Sequence, residues 1–282
     1  MIIFDFNQIA IANLMEQIGS SKQPVEETLV RHMILNTIRA NLRKFKSEYG
    51  NDVIIACDNK HYWRRDVFPF YKGNRKKNRE ASGHDWASIF DCLHKVRSEL
   101  ATSSPYKVLD IDGAEADDII GVLTKKYCAH EKIMILSSDK DFVQLQTHPN
   151  VTQYSPTMKK FIKTENAKVQ LKNLILDGDK GDGVPNILSA DNCLVEGIRQ
   201  KALTQKRIDE LLNIDIAKDG NDDLKRNWSR NQTMIDLDFI PSPIVESILD
   251  TYENTKPATK QQFMNYMIAN RLKNLLEVID EF

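Results

Sequence analysis

Short apolar runs alternate with longer stretches of helical spacing along the first half of the chain. The apolar runs predict strands at residues 2–6, 53–57, 106–109 and 133–137 and, more weakly, at 151–154. Between them, residues 25–48, 85–100 and 114–127 have the periodicity of amphipathic helices. This alternation is typical of βαβ units, so the sequence predicts an α/β fold with a mostly parallel central sheet and flanking helices.

The strand pattern fades near residue 164. From there the sequence favours helices separated by polar loops, among them residues 177–183 and 218–223. No repeat and no Gly/Ser linker separates the two parts. We therefore predict an α/β core at 1–163 and a smaller helical region at 164–282.

The composition is that of a soluble globular protein, with 282 residues, 41% hydrophobic and 28% charged. No apolar run approaches the roughly 18 residues that a membrane span needs, and no basic segment precedes the first apolar run. The four cysteines form no CxxC pair, and the six histidines lie at no zinc spacing from them. These features predict a cytoplasmic protein with reduced, mostly buried thiols, no zinc site built from Cys and His, and no membrane association.

Nine carboxylates lie in or just after the apolar runs, or in a tight turn with glycines: Asp5, Asp58, Glu115, Asp117, Asp118, Asp139, Asp141, Asp179 and Asp182. In parallel sheets the ligand crevice lies beyond the carboxyl ends of the strands, so several of these acids are expected at one edge. Carboxylates gathered in one cleft repel each other unless cations lie between them, and hard oxygen ligands favour Mg²⁺ or Mn²⁺. The spacing of Asp139 and Asp141 suits two ions about 4 Å apart.

Each acidic motif also has a simpler interpretation. The acids at 115–118 could offset the macrodipole at the start of a helix, and Asp141 could be a helix N-cap. The turn at 177–183 superficially resembles a calcium loop, but the twelfth position from Asp177 is Leu188 instead of the required Glu. Calcium sensing is therefore disfavoured.

The net charge of −1 conceals a basic segment. Residues 60–79 contain eight bases and one acid, a charge of +7, which leaves −8 for the rest of the chain. Aromatic residues are interleaved with these bases, from Tyr62 to Tyr71. Cations neutralise phosphates and flat rings stack on unpaired bases, a combination that suits single-stranded nucleic acid. The alternative is a solvated charged face whose aromatic residues belong to the core.

Taken together, these segments resemble the flap endonuclease superfamily of 5′ nucleases, and within it the ribonuclease H (5′ to 3′ exonuclease) group of T-even-like bacteriophages. The resemblance is carried, in family order, by Phe4-Asp5, Asp58, Tyr71 to Arg75, Glu115 to Asp118, Ser138 to Asp141 and Gly178 to Asp182. It implies a PIN-like 5′ nuclease core with a basic arch at about 60–90, followed by a helical duplex-binding region. It runs to about residue 190 and more diffusely to the last residue.

The resemblance also implies roles for single residues. Asp5, Asp58, Glu115 and Asp117, with Asp118 nearby, would serve a first metal ion, and Asp139, Asp141, Asp179 and Asp182 a second, some through water. Lys72 would contact the scissile phosphate with support from Arg75, as the catalytic cations. Nucleic-acid contacts would come from Arg64, Arg65, Tyr71, Lys72, Arg75, Lys76, Lys77, Arg79, Gly181 and Gly183. Residues 73–84 would form a mobile arch over the site, disordered before substrate binds.

Two departures from the family pattern affect the expected partners. The relatives' Gly-rich hairpin, often with a bound K⁺, is replaced here by Val184 to Ala190, which makes a K⁺ site doubtful. The N-terminal extension through which phage relatives can dock a sliding clamp does not precede Asp5, so a clamp contact would need another segment. Single-stranded DNA-binding protein and the sliding clamp of a replisome remain candidate partners of a monomer.

These observations predict a metal-dependent 5′ to 3′ exonuclease and flap endonuclease that acts on RNA·DNA and DNA·DNA duplexes and removes RNA primers during replication. Two Mg²⁺ ions, replaceable by Mn²⁺, are the expected cofactors. A noncatalytic module that binds branched DNA and a PIN-type single-strand ribonuclease are the alternatives. Residues 279–282 could dock on a partner or fray, and fraying is expected.

Overall fold

The computed structural model describes residues 1–19 and 25–282. Within them, six strands form one sheet in the order β3-β2-β1-β4-β5-β6. Neighbouring strands are parallel except for the antiparallel pair β5 and β6. The strands are β1 (Ile2–Asp5), β2 (Val53–Cys57), β3 (Lys107–Asp110), β4 (Ile133–Leu136), β5 (Val151–Ser155) and β6 (Lys160–Ile162). The predicted α/β class and mostly parallel sheet are confirmed.

The helices of the first half are α1 (Phe6–Ile18), α2 (Glu27–Tyr49), α3 (Trp63–Val67), α4 (Arg75–Ser82), α5 (Trp86–Ser103) and α6 (Ala116–Tyr127). The second half contains α7 (Ala167–Asp177), α8 (Cys193–Glu196), α9 (Gln205–Leu212), α10 (Ile216–Asp219), α11 (Asp222–Ile235), α12 (Ser242–Asn254), α13 (Lys260–Ala269) and α14 (Lys273–Leu276). Short 3₁₀ helices cover Lys140–Thr147, Leu237–Phe239 and Ile279–Glu281. In the first half of the chain, the sequence pattern missed α1, which directly continues β1, and the short elements α3, α4 and β6.

Successive residues of β1 face opposite sides of the sheet, and both sides are covered by helices. Ile2 and Phe4 pack with side chains of α1, α2 and α5, whereas Ile3 packs with α6 and α12. Because both faces are buried, the parallel strands are continuous apolar runs instead of alternating ones. This arrangement makes the strand ends a rigid platform for the polar residues that follow them.

The helical region confirmed after β6 is not separate from the sheet in its packing. Helices α13 and α14 contribute to the core on one face, and α12 contributes to the core on the other. Helices α7, α9, α10 and α11 contribute to two smaller apolar clusters, one of which includes Trp63 of α3. The domain division at 163/164 stays a prediction.

The C-terminal residues are held in place, so the expectation of fraying is wrong. Phe282 is 8% exposed, and its ring lies edge-on to Phe263 with 5.3 Å between centroids. Lys46 Nζ donates a hydrogen bond to the Phe282 carbonyl group at 2.8 Å. Among the described residues, none of the helices has the length and apolar character needed to cross a membrane.

Candidate active site

Carboxylates from separate elements line one cleft at the carboxyl edge of the sheet. Asp5 ends β1, Asp58 follows β2, and Asp139 lies shortly after β4. Since β2, β1 and β4 are neighbours, their ends lie side by side. The cleft has a volume of about 900 Å³, and its acidic side chains are Asp5, Asp58, Glu115, Asp117, Asp139 and Asp182. A smaller cavity beside it adds Asp141 and Asp179 to Asp117 and Asp182.

Hydrogen bonds from neighbouring elements fix the first two acids. Ser137 Oγ donates to Asp5 Oδ2 at 2.8 Å, and the Gln8 amide donates to Asp5 Oδ1 at 3.2 Å, which makes Asp5 the N-cap of α1. Asp58 accepts from Asn7 Nδ2 and from the Ala116 amide, both at 2.8 Å. Strand ends and helix starts are thus joined through the carboxylates themselves.

The acids at the start of α6 divide into two roles. Glu115 is the N-cap, and Asp118 closes a capping box by accepting from the Glu115 amide at 2.9 Å. Asp118 is fully buried and also accepts from Trp63 Nε1 at 3.2 Å. It lines neither cavity, so its position fits the simpler helix-end interpretation. Asp117 faces the cleft instead.

Asp139 and Asp141 follow β4, and the simpler interpretation takes Asp141 as an N-cap. Asp139, not Asp141, caps the following 3₁₀ helix by accepting from the Asp141 amide at 3.0 Å. Asp141 Oδ1 is buried and has no hydrogen-bond partner within the described residues. A buried carboxylate oxygen without a partner is costly, which leaves it available for a cation.

The acidic turn after α7 packs against the chain segment that carries Lys72. Asp179 accepts from the Asp182 amide at 3.1 Å, and the Lys72 amide donates to the Asp182 carbonyl group at 2.7 Å. Gly183 has φ +74°, and a Cβ there would lie 2.8 Å from the Phe70 carbonyl oxygen. This glycine is therefore needed for the close approach of the two segments.

Burial and mutual repulsion disfavour the ionised form of several of these carboxylates. Burial, followed by repulsion from Asp58, raises the pKa of Asp5 to about 7. Burial and repulsion from Asp139 raise the pKa of Asp117 and of Asp141 well above the usual range. Burial is also the main cause of the raised pKa of Asp139. Additional positive charge in the cleft would stabilise all four in their ionised forms.

Protein cations already lie on the other acids. Lys72 Nζ hydrogen-bonds to Glu115 Oε1 and lies 3.8 Å from Asp182 Oδ2, and Arg75 forms an ion pair with Asp182 Oδ1. Burial alone would raise the pKa of Asp182, but Lys72 and Arg75 lower it to about 2. Lys140 Nζ pairs with Asp179 Oδ2 at 3.0 Å.

The acids are separated from one another, and several are paired with these cations. In residues 1–19 and 25–282, no three His, Cys, Asp or Glu side chains are grouped closely enough to hold a metal ion as they stand. The donor set is that of a hard divalent cation, and the unpartnered Asp141 oxygen and the raised carboxyl pKa values fit one. Binding would require the acids to converge and Lys72 to give up part of its contact with Glu115.

Two residues predicted to contact nucleic acid are buried, and this corrects their assignment. Arg64 is 2% exposed and pairs with Glu115 at 2.9 Å and with Asp118 at 2.8 Å. Tyr71 is also 2% exposed, and its hydroxyl donates to Asp182 at 2.8 Å and to Glu115 at 3.1 Å. Neither side chain reaches the surface, because both form hydrogen bonds to the acids on the buried side of the cleft.

The remaining bases are accessible. Arg65, Arg75, Lys76 and Arg79 line the cleft with Lys72, whereas Lys77 is exposed outside it. The segment 73–84, expected to be disordered, contains helix α4, which ends at Gly83 in a left-handed conformation. No residue of α4 is buried, so its polar composition reflects solvation of a helix. Gly181 lies in the acidic turn, where a Cβ would lie 3.1 Å from Asp179 Oδ1.

The cleft also contains residues that the sequence analysis missed. Asn7 and Gln8 line it from α1, and Trp86, Phe90 and His94 line it from α5. The last three recur every fourth residue, so an aromatic stripe within the predicted helix 85–100 was the available signal. Asn7 and Gln8 carried none, because α1 itself was not predicted.

Comparison with known families places both halves of the chain. Residues 12–173 match the family described as "5′-3′ exonuclease, N-terminal resolvase-like domain". Residues 165–282 match the family described as "T4 RNase H, C terminal". The two matches together reach from α1 to the last residue.

Relatives in sequence and structure agree with this placement. The chain is 36% identical to ribonuclease H of Enterobacteria phage T4, over 99% of this chain and 95% of the relative. It is 29% identical to flap endonuclease Xni of Aliivibrio fischeri, but only over 47% of this chain and 48% of that relative.

Solved structures of nucleases from bacteriophage T5 share the fold. A T5 flap endonuclease, in a pseudo-enzyme-product complex with DNA and metal ions, matches with a TM-score of 0.61 at 18% identity, covering 90% of this chain and 99% of that one. A T5 5′-exonuclease with bound zinc matches with a TM-score of 0.63 at 17% identity, covering 90% and 98%. From both family matches and the near-full-length relative, the chain belongs to the 5′-3′ exonuclease family, in the group of phage ribonuclease H.

Proposed function

We propose that this protein is a divalent-metal-dependent 5′ nuclease that cleaves phosphodiesters of RNA·DNA and DNA·DNA duplexes as a 5′ to 3′ exonuclease and flap endonuclease. The observation that carries the proposal is the composition of one cleft. Acids at the strand ends lie in the same cleft as the bases of the α3–α4 segment. Carboxylates suit metal ions, and the bases suit the phosphates of a nucleic acid.

The relatives support this chemistry. The T4 relative carries the name ribonuclease H, and the T5 structures contain DNA, metal ions or zinc. For this chain we propose Mg²⁺ as the metal, with Mn²⁺ as a substitute. A first ion would be held by Asp5, Asp58, Glu115 and Asp117, and a second by Asp139, Asp141, Asp179 and Asp182, in part through water.

When bound, such ions supply an activated water and neutralise the nonbridging phosphate oxygens. The chain's own residues do the positioning. Arg64 and Tyr71 hold Glu115 from the buried side, while Asn7 and the Ala116 amide hold Asp58. Asp118 contributes by fixing the start of α6 and pairing with Arg64, not as a ligand.

Lys72 and Arg75 link the acids to the substrate. Both cations pair with carboxylates of the cleft, and both line the cleft from the arch side. If these carboxylates held a divalent cation, Lys72 and Arg75 would be released from Glu115 and Asp182 and could turn to the phosphate. We propose that Lys72 contacts the scissile phosphate and that Arg75 supports it.

The alternatives are less well supported. A binding module has no use for buried carboxylates next to a basic arch, where burial raises the pKa of Asp5 to about 7 and that of Asp117 well above its usual range. A PIN-type single-strand ribonuclease would lack the arch helix α4 and the helical region from α7 onward, both of which are present. Removal of RNA primers, with single-stranded DNA-binding protein and sliding clamp as partners, is the role we propose in replication.

The test uses 5′-labelled flap and RNA·DNA substrates with Mg²⁺. We expect short labelled products from the intact protein and none after chelation with EDTA. Asp139→Asn should bind substrate but not cleave it, whereas Asp250→Asn, an exposed acid on α12, should cleave normally. Substrate that stays uncut by the intact protein in both Mg²⁺ and Mn²⁺ would refute the proposal.

A further inference from the structure

A row of flat side chains runs along α5 in the wall of the cleft. Trp86, Phe90 and His94 are four residues apart, so they lie on one face of the helix. The Trp86 and Phe90 centroids are 5.7 Å apart with 35° between ring planes, and those of Phe90 and His94 are 6.4 Å apart with 28°. The three rings therefore form a row in which neighbouring ring planes are inclined to each other by 28° to 35°.

This row of rings is distinct from the part of α5 that builds the core. Ile89, Leu93, Val96 and Leu100 are the buried residues of the helix. Trp86 and Phe90 touch the edge of that core, but all three rings stay partly exposed and line the cleft that contains the carboxylates. Core packing alone does not require three aromatic rings in a solvent-filled cleft.

The arch helix α4 contacts the same row of rings through one cation and one hydroxyl group. The Arg79 guanidinium lies 5.2 Å from the Phe90 centroid, and Trp86 Nε1 donates to Ser82 Oγ of α4 at 2.8 Å. Burial, then the charges of Arg97 and Lys60, lowers the pKa of His94, which favours a neutral ring. A nucleic-acid strand in the cleft would thus have basic side chains of α4 near its phosphates and the rings of α5 near its nucleobases.

We propose that Trp86, Phe90 and His94 form a stacking platform for the unpaired nucleobases of a 5′ flap. The platform rests on the proposed function and specifies which part of the substrate it holds. Aromatic stacking accepts any base, since every base has a flat face, and contributes about 1–3 kcal/mol per base. The platform therefore recognises single-strandedness and not sequence.

The test compares binding to two otherwise identical duplexes, one with a six-nucleotide 5′ flap and one without, by fluorescence anisotropy in EDTA so that no cleavage occurs. Phe90→Leu keeps apolar volume but removes the ring. We expect it to weaken binding of the flap duplex by about tenfold, equivalent to about 1.4 kcal/mol, and to leave the other duplex unchanged. Tyr127→Leu, a half-exposed aromatic outside the cleft, is the control and should affect neither.

A second variant and a direct probe guard against a folding artefact. His94→Ala should show the same flap-specific loss, and 2-aminopurine in the flap should be quenched by the intact protein but not by Phe90→Leu. Equal losses on both duplexes, or unchanged quenching in the variant, would overturn the platform. The two proposals fail separately. If the intact protein cleaves but the variants lose no flap-specific affinity, only the platform is refuted. If the variants lose flap-specific affinity but the intact protein does not cleave, only the nuclease is refuted.

Discussion

Lys72 lies where the acidic and basic parts of the cleft meet. Its backbone has φ 55°, in the left-handed region that a residue with a Cβ seldom adopts. Its amide bonds to the acidic turn, and its ammonium group reaches Glu115 and Asp182. The strained backbone is thus held by contacts at both ends of the residue, which places the charge at the acids.

For Lys72→Ala we expect turnover to fall by about 10²-fold, because a preorganised charge at the reacting phosphate is lost. Affinity should change much less, since one phosphate contact is a small part of a polyanion interface. Single-turnover kinetics and equilibrium binding separate the two. Lys77→Ala, on the exposed side of α4, should behave like the intact protein; wild-type turnover in Lys72→Ala would contradict the assigned role.

Arg64 allows a test of the corrected assignment. For Arg64→Met we expect the free energy of unfolding to fall by about 3–5 kcal/mol, because Asp118 loses its buried ion-pair partner and Glu115 loses one of two. Urea denaturation measures this loss. Unchanged stability combined with weaker DNA binding would instead return Arg64 to the nucleic-acid surface.

At the scale of elements, we propose that α4 and α5 divide the recognition of a nucleic-acid strand between them. Helix α4 has no buried residue and presents bases, whereas α5 is anchored by its apolar face and presents rings. The hydrogen bond between Trp86 and Ser82 connects the two helices. Mutations in α4 should therefore alter mainly the salt-dependent part of binding.

We expect Lys76→Ala combined with Arg79→Ala to reduce the slope of log affinity against log salt concentration by about 1–2. The reason is that, for each basic side chain removed, about one counterion fewer is released from the nucleic acid on binding. Binding titrations at several salt concentrations measure the slope. The matched pair Lys256→Ala and Lys273→Ala, both exposed and outside the cleft, should leave it unchanged, and equal slopes in both double variants would argue against α4 as a phosphate-binding element.

On the scale of the whole molecule, the proposed metal binding in the cleft would be coupled to the stability of the fold through the carboxylates. Burial raises the pKa of Asp5 to about 7 from an ordinary value near 3.8, so the folded state binds a proton that the unfolded state has lost. In the absence of metal, the contribution of this group to stability is present below about pH 4 and is lost as the pH rises to about 7.

We therefore expect Mg²⁺ to raise the Tm of the protein, and by more at pH 8 than at pH 5, because protons compete with the metal for the same carboxylates. Differential scanning fluorimetry with Mg²⁺ and with EDTA measures the shift. The double variant Asp139→Asn, Asp141→Asn should lose most of it. A shift that is independent of pH, or retained in the double variant, would contradict the carboxylate site.

The sequence by itself determined five of the six strands, most of the acids that line the cleft and the positive charge of the arch. Continuous apolar runs have few alternatives to buried parallel strands, and polar residues directly after them must lie at one edge. Glycine-rich acidic turns are equally local. These features depend on neighbours in the chain, so they could be recognised from the printed residues alone.

Tertiary structure alone decided which charged and aromatic residues face the cleft. Arg64 and Tyr71 belong to the same basic, aromatic run as Arg65 and Arg75, yet the first two are buried against Glu115 and the others are exposed. Burial depends on contacts across about 50 to 170 positions in the chain, such as Arg64 with Met234, and no local pattern encodes them. For the same reason the rings of α5 could be assigned to the cleft only once α4 was placed beside them.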